Sequence, residues 1–427
     1  MLRYRSLCVV PSLALCAAAA AQGGFETPVL QTALNSTSID TEPCLSFDGL
    51  TLYYYSNRTG GVGGLDIYTA TRAYPGASWS APVCDTSLSS AQSDYSPFLV
   101  LGELEIYFSS NRIGSTPMST STALSLDIWR ATRTAPGQPW STPTNVTELN
   151  SPGGELQFSM TYDGLECYFL TTGWGNPGGA NNSIYRSTRT SAGLPWSTPT
   201  LVAELFNAKT HRDVMITGDG LEIVYTEFQP SPIGRLYVYS ATRPDRNSPF
   251  GTPVNWNELN AVGTLQGVNS VTLSANGDEA ILGVGFPTAT GNQELMRTRR
   301  SVRYGQGCGG AAPLALGANA PAIGGNWDLT TSNIDPQSPI SITIFGAASA
   351  SVPIDFLGAP GCSVWSDIII TSLTASTTTG GTSLISVPVP LSVPLVGAVF
   401  YSQSACLTLG NALGLYTSNG CKSVLGG

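Results

Sequence analysis

The sequence predicts an all-β chain, a five-bladed β-propeller followed by a C-terminal β-sandwich of jelly-roll type, and three observations carry that expectation. The segment SFDGLTLYYYSNRTGGVGGLDIYTATR with the WSAP that follows it, Ser46 to Pro82, recurs in degenerate form through the first 300 residues. Two markers keep one period of 54 to 61 residues: the arginine closing each D-I-Y-x-A-T-R run (Arg72, Arg133, Arg189, Arg243, Arg300) and the aromatic opening each W-x-x-P run (Phe25, Trp79, Trp140, Trp196, Phe250). Beyond Arg300 the period stops and charge nearly disappears. Units of this length, each made of several short strands, cannot bury their own faces and must pack against copies of themselves.

Taken from the N-terminus, the chain opens with Arg3 and Arg5, an apolar stretch from Leu7 to Ala18, and Ala19-Ala20-Ala21 before Gln22. That pattern predicts a secretory leader over residues 1–21, and hence an exported protein, extracellular, periplasmic or at the cell surface. Leu15 stands where lipidation at Cys16 would need a small residue, so soluble export is the expectation. A lone Phe25-Glu26-Thr27-Pro28 then precedes the first unit, and the fifth unit ends at Arg300 without its own W-x-x-P. The ring expected over 22–300 therefore closes by letting the N-terminal strand complete the last blade, which leaves no sheet edge exposed.

Each unit reads as four short strands, the composition of a blade. Alternation in Leu50-Thr51-Leu52-Tyr53-Tyr54-Tyr55 and in Leu104-Glu105-Ile106-Tyr107-Phe108 has the period of a half-buried strand. Asp48-Gly49, Asp163-Gly164, Asp219-Gly220 and Asn276-Gly277 supply tight turns just before those strands. The second unit has Leu101-Gly102 there and reads as one residue shorter. Gly-rich loops, such as Gly60 to Gly64 and Gly173 to Gly179, lead to a third strand ending in Ala-Thr-Arg or Ser-Thr-Arg.

The run S-x-D-G-L-x-L-Y-F-x-S-N-R, a Gly-rich loop, L-D-I-Y-x-A-T-R and W-x-x-P together resemble the TolB-type, WD40-like propeller repeat of bacterial envelope and secreted proteins. The first two units match best, with Ser56-Asn57-Arg58 and Asp66, and Ser110-Asn111-Arg112 and Asp127. Later units replace these by Thr172-Gly173 and Ser183, by Glu227-Phe228 and Tyr237, and by Gly283 and Glu294. The resemblance covers about two thirds of the chain. It implies a binding role rather than catalysis, and it accounts for an acidic residue ahead of the S-x-D-G strand.

Residues 301–427 form the expected second domain, where short apolar runs such as Ile340 to Phe345, Asp367 to Thr371 and Leu384 to Val389 sit between turn residues. Tyr304-Gly305-Gln306-Gly307-Cys308, Gly358-Ala359-Pro360-Gly361-Cys362, the run Leu395 to Phe400 with Gln403, and Ser418-Asn419-Gly420 resemble a module that ends many secreted bacterial proteins. The resemblance implies a part in export, attachment or stability, or a plain spacer.

Loss of the leader takes the net charge from −9 to −11, because it holds two of the 19 basic residues and no acidic one. Nucleic acid and anionic membrane are poor partners for such a chain, which leaves protein, peptide or glycan ligands. The run Val387 to Phe400 is broken by Pro388, Pro390 and Pro394 and is no membrane span. Seven cysteines follow the leader, so one thiol of a monomer stays unbridged, and Cys167 in its apolar strand is the expected one. Cys44 and Cys84 are a further candidate pair. Cys308 with Cys362, and Cys406 with Cys421, are the expected bridges among three ways of joining those four.

The first strand of every blade lines a propeller's channel. Counting back from the turn glycines places Asp40, Asp94, Glu155, His211 and Val268 in one ring. Two residues further, on the same strand face, stand Glu42, Ser96, Gln157, Asp213 and Ser270. Asp40, Glu42, Asp94, Glu155, His211 and Asp213 are thus the candidate ligand-binding residues of an acidic channel mouth. The alternative to binding is hydrolysis, since five-bladed glycosidases draw an Asp, an Asp and a Glu from successive inner strands, the order of Asp40, Asp94 and Glu155. Some of these oxygens would also suit calcium, and no other cofactor is implied. His211 is the only histidine, which removes the base of a serine triad and any multi-histidine metal site. Asp66 with Arg58, and Asp127 with Arg112, read as pairs tying a loop to a strand. Trp79, Trp140 and Trp196 read as blade packing before sugar stacking.

Overall fold

The computed structural model describes residues 25–100, 102–119, 121–230, 234–260, 267–274, 277–285, 293–309, 312–321, 325–367, 370–377, 381–390 and 398–425. The leader and Asn276 lie outside them. Five blades follow one another. After β1 (Val29–Leu30), the first contains β2 (Asp40–Leu45), β3 (Thr51–Ser56), β4 (Asp66–Thr71) and β5 (Val83–Cys84). The second contains β6 (Asp94–Leu99), β7 (Glu105–Ser110), β8 (Asp127–Thr132) and β9 (Thr144–Asn145), and the third β10 (Glu155–Met160), β11 (Glu166–Thr171), β12 (Ser183–Thr188) and β13 (Thr200–Leu201). The fourth has β14 (His211–Ile216), β15 (Glu222–Gln229), β16 (Arg235–Thr242) and β17 (Val254–Asn255), and the fifth β18 (Gly267–Leu273), β19 (Glu279–Gly285) and β20 (Gln293–Arg299). All are antiparallel meanders, and β1 is the fourth strand of the last blade, with Val29 opposite Arg297 and Leu30 opposite Met296. The inner strand β18 packs beside β2, so the ring is closed.

Hydrophobic burial is organised between the blades rather than within them. One wedge joins Tyr53, Ile67 and Leu88 of the first blade to Ile106, Phe108 and Trp129 of the second. The closing wedge joins Leu34, Leu52 and Tyr54 to Ile281 and Leu295 of the fifth. Each wedge needs the next blade, which is why single units carry so much apolar surface and only the ring hides it.

The two sequence markers meet in one contact. The guanidinium of Arg72 lies 4.4 Å from the Trp79 ring, Arg133 4.2 Å from Trp140, Arg189 4.2 Å from Trp196, Arg243 4.6 Å from Phe250, and Arg300 4.4 Å from Phe25. Their Nε atoms donate to the tight-turn carbonyls of Gly49, Glu103, Gly164, Gly220 and Gly277 at 2.6–2.8 Å. Arginine serves here because its flat, weakly hydrated cation can stack on a ring while its edge donates. The second unit is not shortened, as its sequence suggested: Glu103, at φ +59°, holds the place of the turn glycine, nine residues after Asp94 as Gly49 is after Asp40. Its carboxylate meets Arg133 Nη2 at 3.1 Å, which offsets part of the cost of a left-handed non-glycine residue.

The C-terminal strands form two facing sheets and a small ribbon. β21 (Val302–Tyr304), β22 (Ala315–Ala318), β23 (Asn326–Ser332), β24 (Ile340–Gly346), β25 (Ser349–Pro353), β26 (Ser363–Ser366), β27 (Ile370–Thr377), β28 (Ser383–Pro388), β29 (Val399–Leu407) and β30 (Leu415–Val424) pair in the orders β21-β30-β29-β24-β27, β22-β23-β28 and β25-β26. Leu316, Trp327 and Leu329 of the smaller sheet share a core with Phe345 and Cys421 of the larger. Ala320 N donates to Glu26 Oε1 at 3.0 Å and Arg299 Nη1 to the Pro321 carbonyl at 3.1 Å, where this region meets the last blade. No helix among the described residues is long and apolar enough to cross a membrane.

Cys308 and Cys362 are bridged. The expected bond between Cys406 and Cys421 is not formed. In the β29–β30 hairpin Cys406 stands opposite Tyr416 and Cys421 opposite Ser402. At ~3.3 Å per residue that offset separates them by roughly 13 Å, far beyond disulfide reach. Cys406 packs with Leu314 and Ile334 instead, and Cys421 with Leu316 and Trp327. Cys44, Cys84 and Cys167 carry no bridge, and Cys167 is fully buried. Loss of the Cys308–Cys362 bond, which closes a 54-residue separation, is expected to cost about 2–4 kcal/mol of the C-terminal region's stability. Denaturant unfolding of a Cys308→Ala/Cys362→Ala variant measures this, and an unchanged midpoint contradicts it.

Candidate functional site

The five inner strands stand around a central cavity of about 430 Å³. Each is broken by a β-bulge at the same place. In the first three blades two residues of the inner strand oppose one of its neighbour, at Glu42-Pro43, Ser96-Pro97 and Gln157-Phe158, and in the last two Arg212 and Asn269 are the extra residues. Pro43 and Pro97 fit there because a bulge spares the N–H that proline lacks. Glu42, Ser96 and Gln157 take the left-handed backbone, at φ +53°, +47° and +59°. Beyond the bulge the inner-strand N–H groups find side chains of the preceding blade: Leu45 N donates to Thr272 Oγ1, Leu99 N to Cys44 Sγ, Ile216 N to Ser159 Oγ and Val271 N to Asp213 Oδ2.

The bulge corrects the expected site. Asp40, Asp94, Glu155 and His211 were to share a channel mouth with Glu42 and Asp213, but the cavity is lined by Glu42 and Asp213 and by none of the other four. The bulge turns the strand, so positions two apart across it no longer share a face. Asp40 is fully buried behind the channel, paired with Arg58 Nη2 at 2.5 Å and accepting from Ser36 N and Oγ. Asp94 repeats this with Arg112 at 2.5 Å and Ser90. In the third blade Gly173 stands where the arginine would be, and Glu155 accepts from Ser151 N and Oγ and from Thr171 Oγ1 instead. Burial without a cation pushes Glu155 up to about 8, against those hydrogen bonds. In the fourth blade the charges are inverted: Glu227 on β15 takes Lys209 Nζ at 3.0 Å, with His211 Nε2 at 3.8 Å. Burial lowers the His211 pKa, and its Nδ1 donates to the Asn182 carbonyl at 3.1 Å.

Arg58 therefore pairs with Asp40, not with Asp66, and Arg112 with Asp94, not with Asp127. Asp66 accepts from Val62 N and Gly63 N, and Asp127 from Thr116 N, Ser125 Oγ and Asn145 Nδ2, so both fix loops. Among the described residues no group of three or more His, Cys, Asp or Glu side chains is placed to hold a metal ion.

The cavity has a polar floor, apolar walls and an aromatic rim. Its floor is Glu42, Ser96, Gln157, Asp213 and Ser270, and its walls include Leu99, Phe158, Val214 and Val271. Ser96 Oγ donates to Glu42 Oε2 at 2.5 Å, and Glu42 N to Ser270 Oγ at 3.2 Å. Burial pushes the Glu42 carboxyl up to about 8; the Asp213 charge adds to the rise, while the Ser96 hydroxyl and Arg212 oppose it. Burial likewise raises Asp213 to about 7, against two backbone N–H bonds.

Both carboxyls hold their protons more tightly in the folded chain, so their contribution to stability is complete below the ordinary carboxylate range and is lost as pH rises through about 7 and about 8. The Glu42→Gln and Asp213→Asn variants, neutral throughout, are expected to match the wild type at about pH 4 and to melt higher at about pH 8. Parallel melting curves across that interval would contradict the assignment.

At the rim Phe47 and Tyr162 meet edge to face at 5.4 Å, 52% and 45% exposed. Sequence reasoning missed them, although each is an aromatic residue directly ahead of an Asp-Gly turn, where a side chain is left in solvent. Tyr162 is held by its N–H to the Gly218 carbonyl at 2.9 Å, and its ring occupies the space that a Cβ on Gly218 would need.

No protein-family model matches the chain, and no curated protein sequence does. Among solved structures it is similar to a thermostable family-43 glycoside hydrolase, at 12% identity over 65% of this chain and 94% of that one with a TM-score of 0.42. It is similar to a putative TolB from Agrobacterium tumefaciens, at 12% identity, 73% and 85% coverage and a TM-score of 0.37. It is also similar to Zg3597, a family 117 glycoside hydrolase of the marine bacterium Zobellia galactanivorans, at 9% identity, 65% and 90% coverage and a TM-score of 0.43. At such identities these are likenesses of fold, spread over TolB proteins and glycoside hydrolases.

Proposed function

We propose that this chain is an exported, non-enzymatic binding or scaffold protein that takes part of a protein, peptide or glycan ligand into the rimmed end of its channel. One observation carries this reading: Asp40, Asp94 and Glu155, the carboxylates a hydrolase of this architecture would draw from successive inner strands, are engaged by Arg58, Arg112, Ser151 and Thr171 outside the cavity. What the cavity offers is a shaped apolar shaft with a few convergent polar groups, the form of a recognition site.

Hydrolysis of a glycan is the second reading. It is favoured by Glu42 and Asp213, two carboxyls from different blades in one cavity, of which one keeps its proton near neutrality. Screening the purified chain against glycan and peptide arrays, with and without calcium, followed by assay of reducing-end release, tests both. The expected result is binding without turnover, weakened in Phe47→Ala and Tyr162→Ala. Turnover that disappears in both Glu42→Gln and Asp213→Asn would overturn the binding reading.

A further inference from the structure

Glu42 and Asp213 both line the floor of the channel. The charged and titratable groups that face them are few. Arg212 follows His211 on the fourth blade's bulge and is solvent-exposed, and its charge reaches Glu42 and Tyr55. Tyr55 packs edge-on to Tyr95 at 5.3 Å, and Cys44 is a buried thiol held up to about 12 by desolvation. At the other end, the rim carries Asp219, Glu222 and Arg300, the last also stacked on Phe25. The remaining floor groups are neutral, and one is unspent. Gln157 is only 7% exposed, lines the cavity, and its amide has no hydrogen-bond partner among the described residues, although buried amides are normally satisfied.

Resting on the reading of the channel as the ligand site, we propose that its floor receives an alkylammonium group borne on an aliphatic stem, with Glu42 and Asp213 as counter-charges and the Gln157 amide oxygen as a further acceptor. The apolar walls suit the methylenes of such a stem, as the floor suits its head. An anion would meet no counter-charge among the floor residues. A neutral hydroxyl would leave both carboxyls protonated in a desolvated place, whereas an ammonium supplies the counter-charge that lets one of them ionise. Uptake of R–NH3+ then releases a proton from the Glu42–Asp213 pair to solvent, an exchange of one positive charge for another. The group has two natural sources, a lysine side chain of a protein or a free diamine.

The test is calorimetry of the full chain with 1,5-diaminopentane and with a blocked Gly-Lys-Gly peptide, against a blocked Gly-norleucine-Gly control, at several pH values and in buffers of different ionisation heat. Expected are binding of an ammonium probe and not of norleucine, proton release near neutrality, and affinity rising up to about tenfold per pH unit before levelling above about pH 8. Glu42→Gln and Asp213→Asn should each weaken binding by about tenfold or more, with folding checked by melting temperature. Preference for the peptide assigns a protein ligand, and preference for the diamine a small molecule. Equal binding of the norleucine peptide, pH-independent affinity, or no binding of either probe at millimolar concentration overturns the proposal. Array ligands lost in Phe47→Ala would still stand as evidence for the channel itself, so the two failures are separable.

Discussion

Removal of the chain through residue 36 is expected to abolish cooperative folding of the ring. The closure of the ring depends on contacts made by that segment. β1 supplies the outer strand of the last blade, and Glu26 N and Gln31 N donate to the Arg299 and Leu295 carbonyls at 2.9 and 3.0 Å. Asn35 exchanges two hydrogen bonds with the Leu295 backbone, Leu34 fills the wedge between the first and last blades, and Phe25 covers Arg300 and packs on Trp256 at 5.5 Å. Loss of the Phe25 and Leu34 side chains alone costs about 3–5 and 2–5 kcal/mol, on the scale of a whole domain's stability of about 5–15 kcal/mol. Phe25→Ala should therefore lower the melting temperature while retaining a two-state transition, and the truncated chain should show none. A truncated chain that melts like the wild type would mean that the ring does not rely on this closure.

Arg112→Met is expected to destabilise by about 3–5 kcal/mol, the cost of leaving a buried carboxylate without its cation. Asp94 is fully buried, and among the described residues Arg112 is its only ion partner, with the same guanidinium reaching the Leu88 carbonyl and lying 4.7 Å from the Phe108 ring. Adding Asp94→Asn should recover part of the loss, because the amide needs no counter-charge and Ser90 can still bond it. Urea unfolding of the two single variants and the double one gives the coupling. Strict additivity would show that the pair contributes nothing beyond its parts. The contrast with Glu155, which lives without an arginine by accepting three hydrogen bonds, shows that the position demands satisfaction of a buried acid rather than a salt bridge as such.

The repeat was legible because it is local. Period, turn dipeptides and strand alternation are written within each unit of about 54 to 61 residues, and the lone Phe25 segment made the closure readable as well. Residues 40 and 42 were read as sharing a face because alternation is the rule for an unbroken strand. Pro43 and Pro97, prolines in the middle of inner strands, are the written sign that this rule fails there. The Cys406–Cys421 expectation failed for a related reason. Spacing along the chain says nothing of register, and the β29–β30 pairing places the two sulfurs on different parts of the core.

By itself the sequence determined the number of blades, their strand content and the direction of closure, since all of these repeat with short-range regularity. Only the tertiary structure decided which acids face the channel. That choice depends on the bulge in each inner strand, left-handed at Glu42, Ser96 and Gln157, and on where the partner comes from, Arg58 for Asp40 within a blade and Ser96 for Glu42 between blades. Side-chain direction after a bulge is set by backbone dihedrals and by contacts between residues far apart in the chain, so it has no signature in residue order alone.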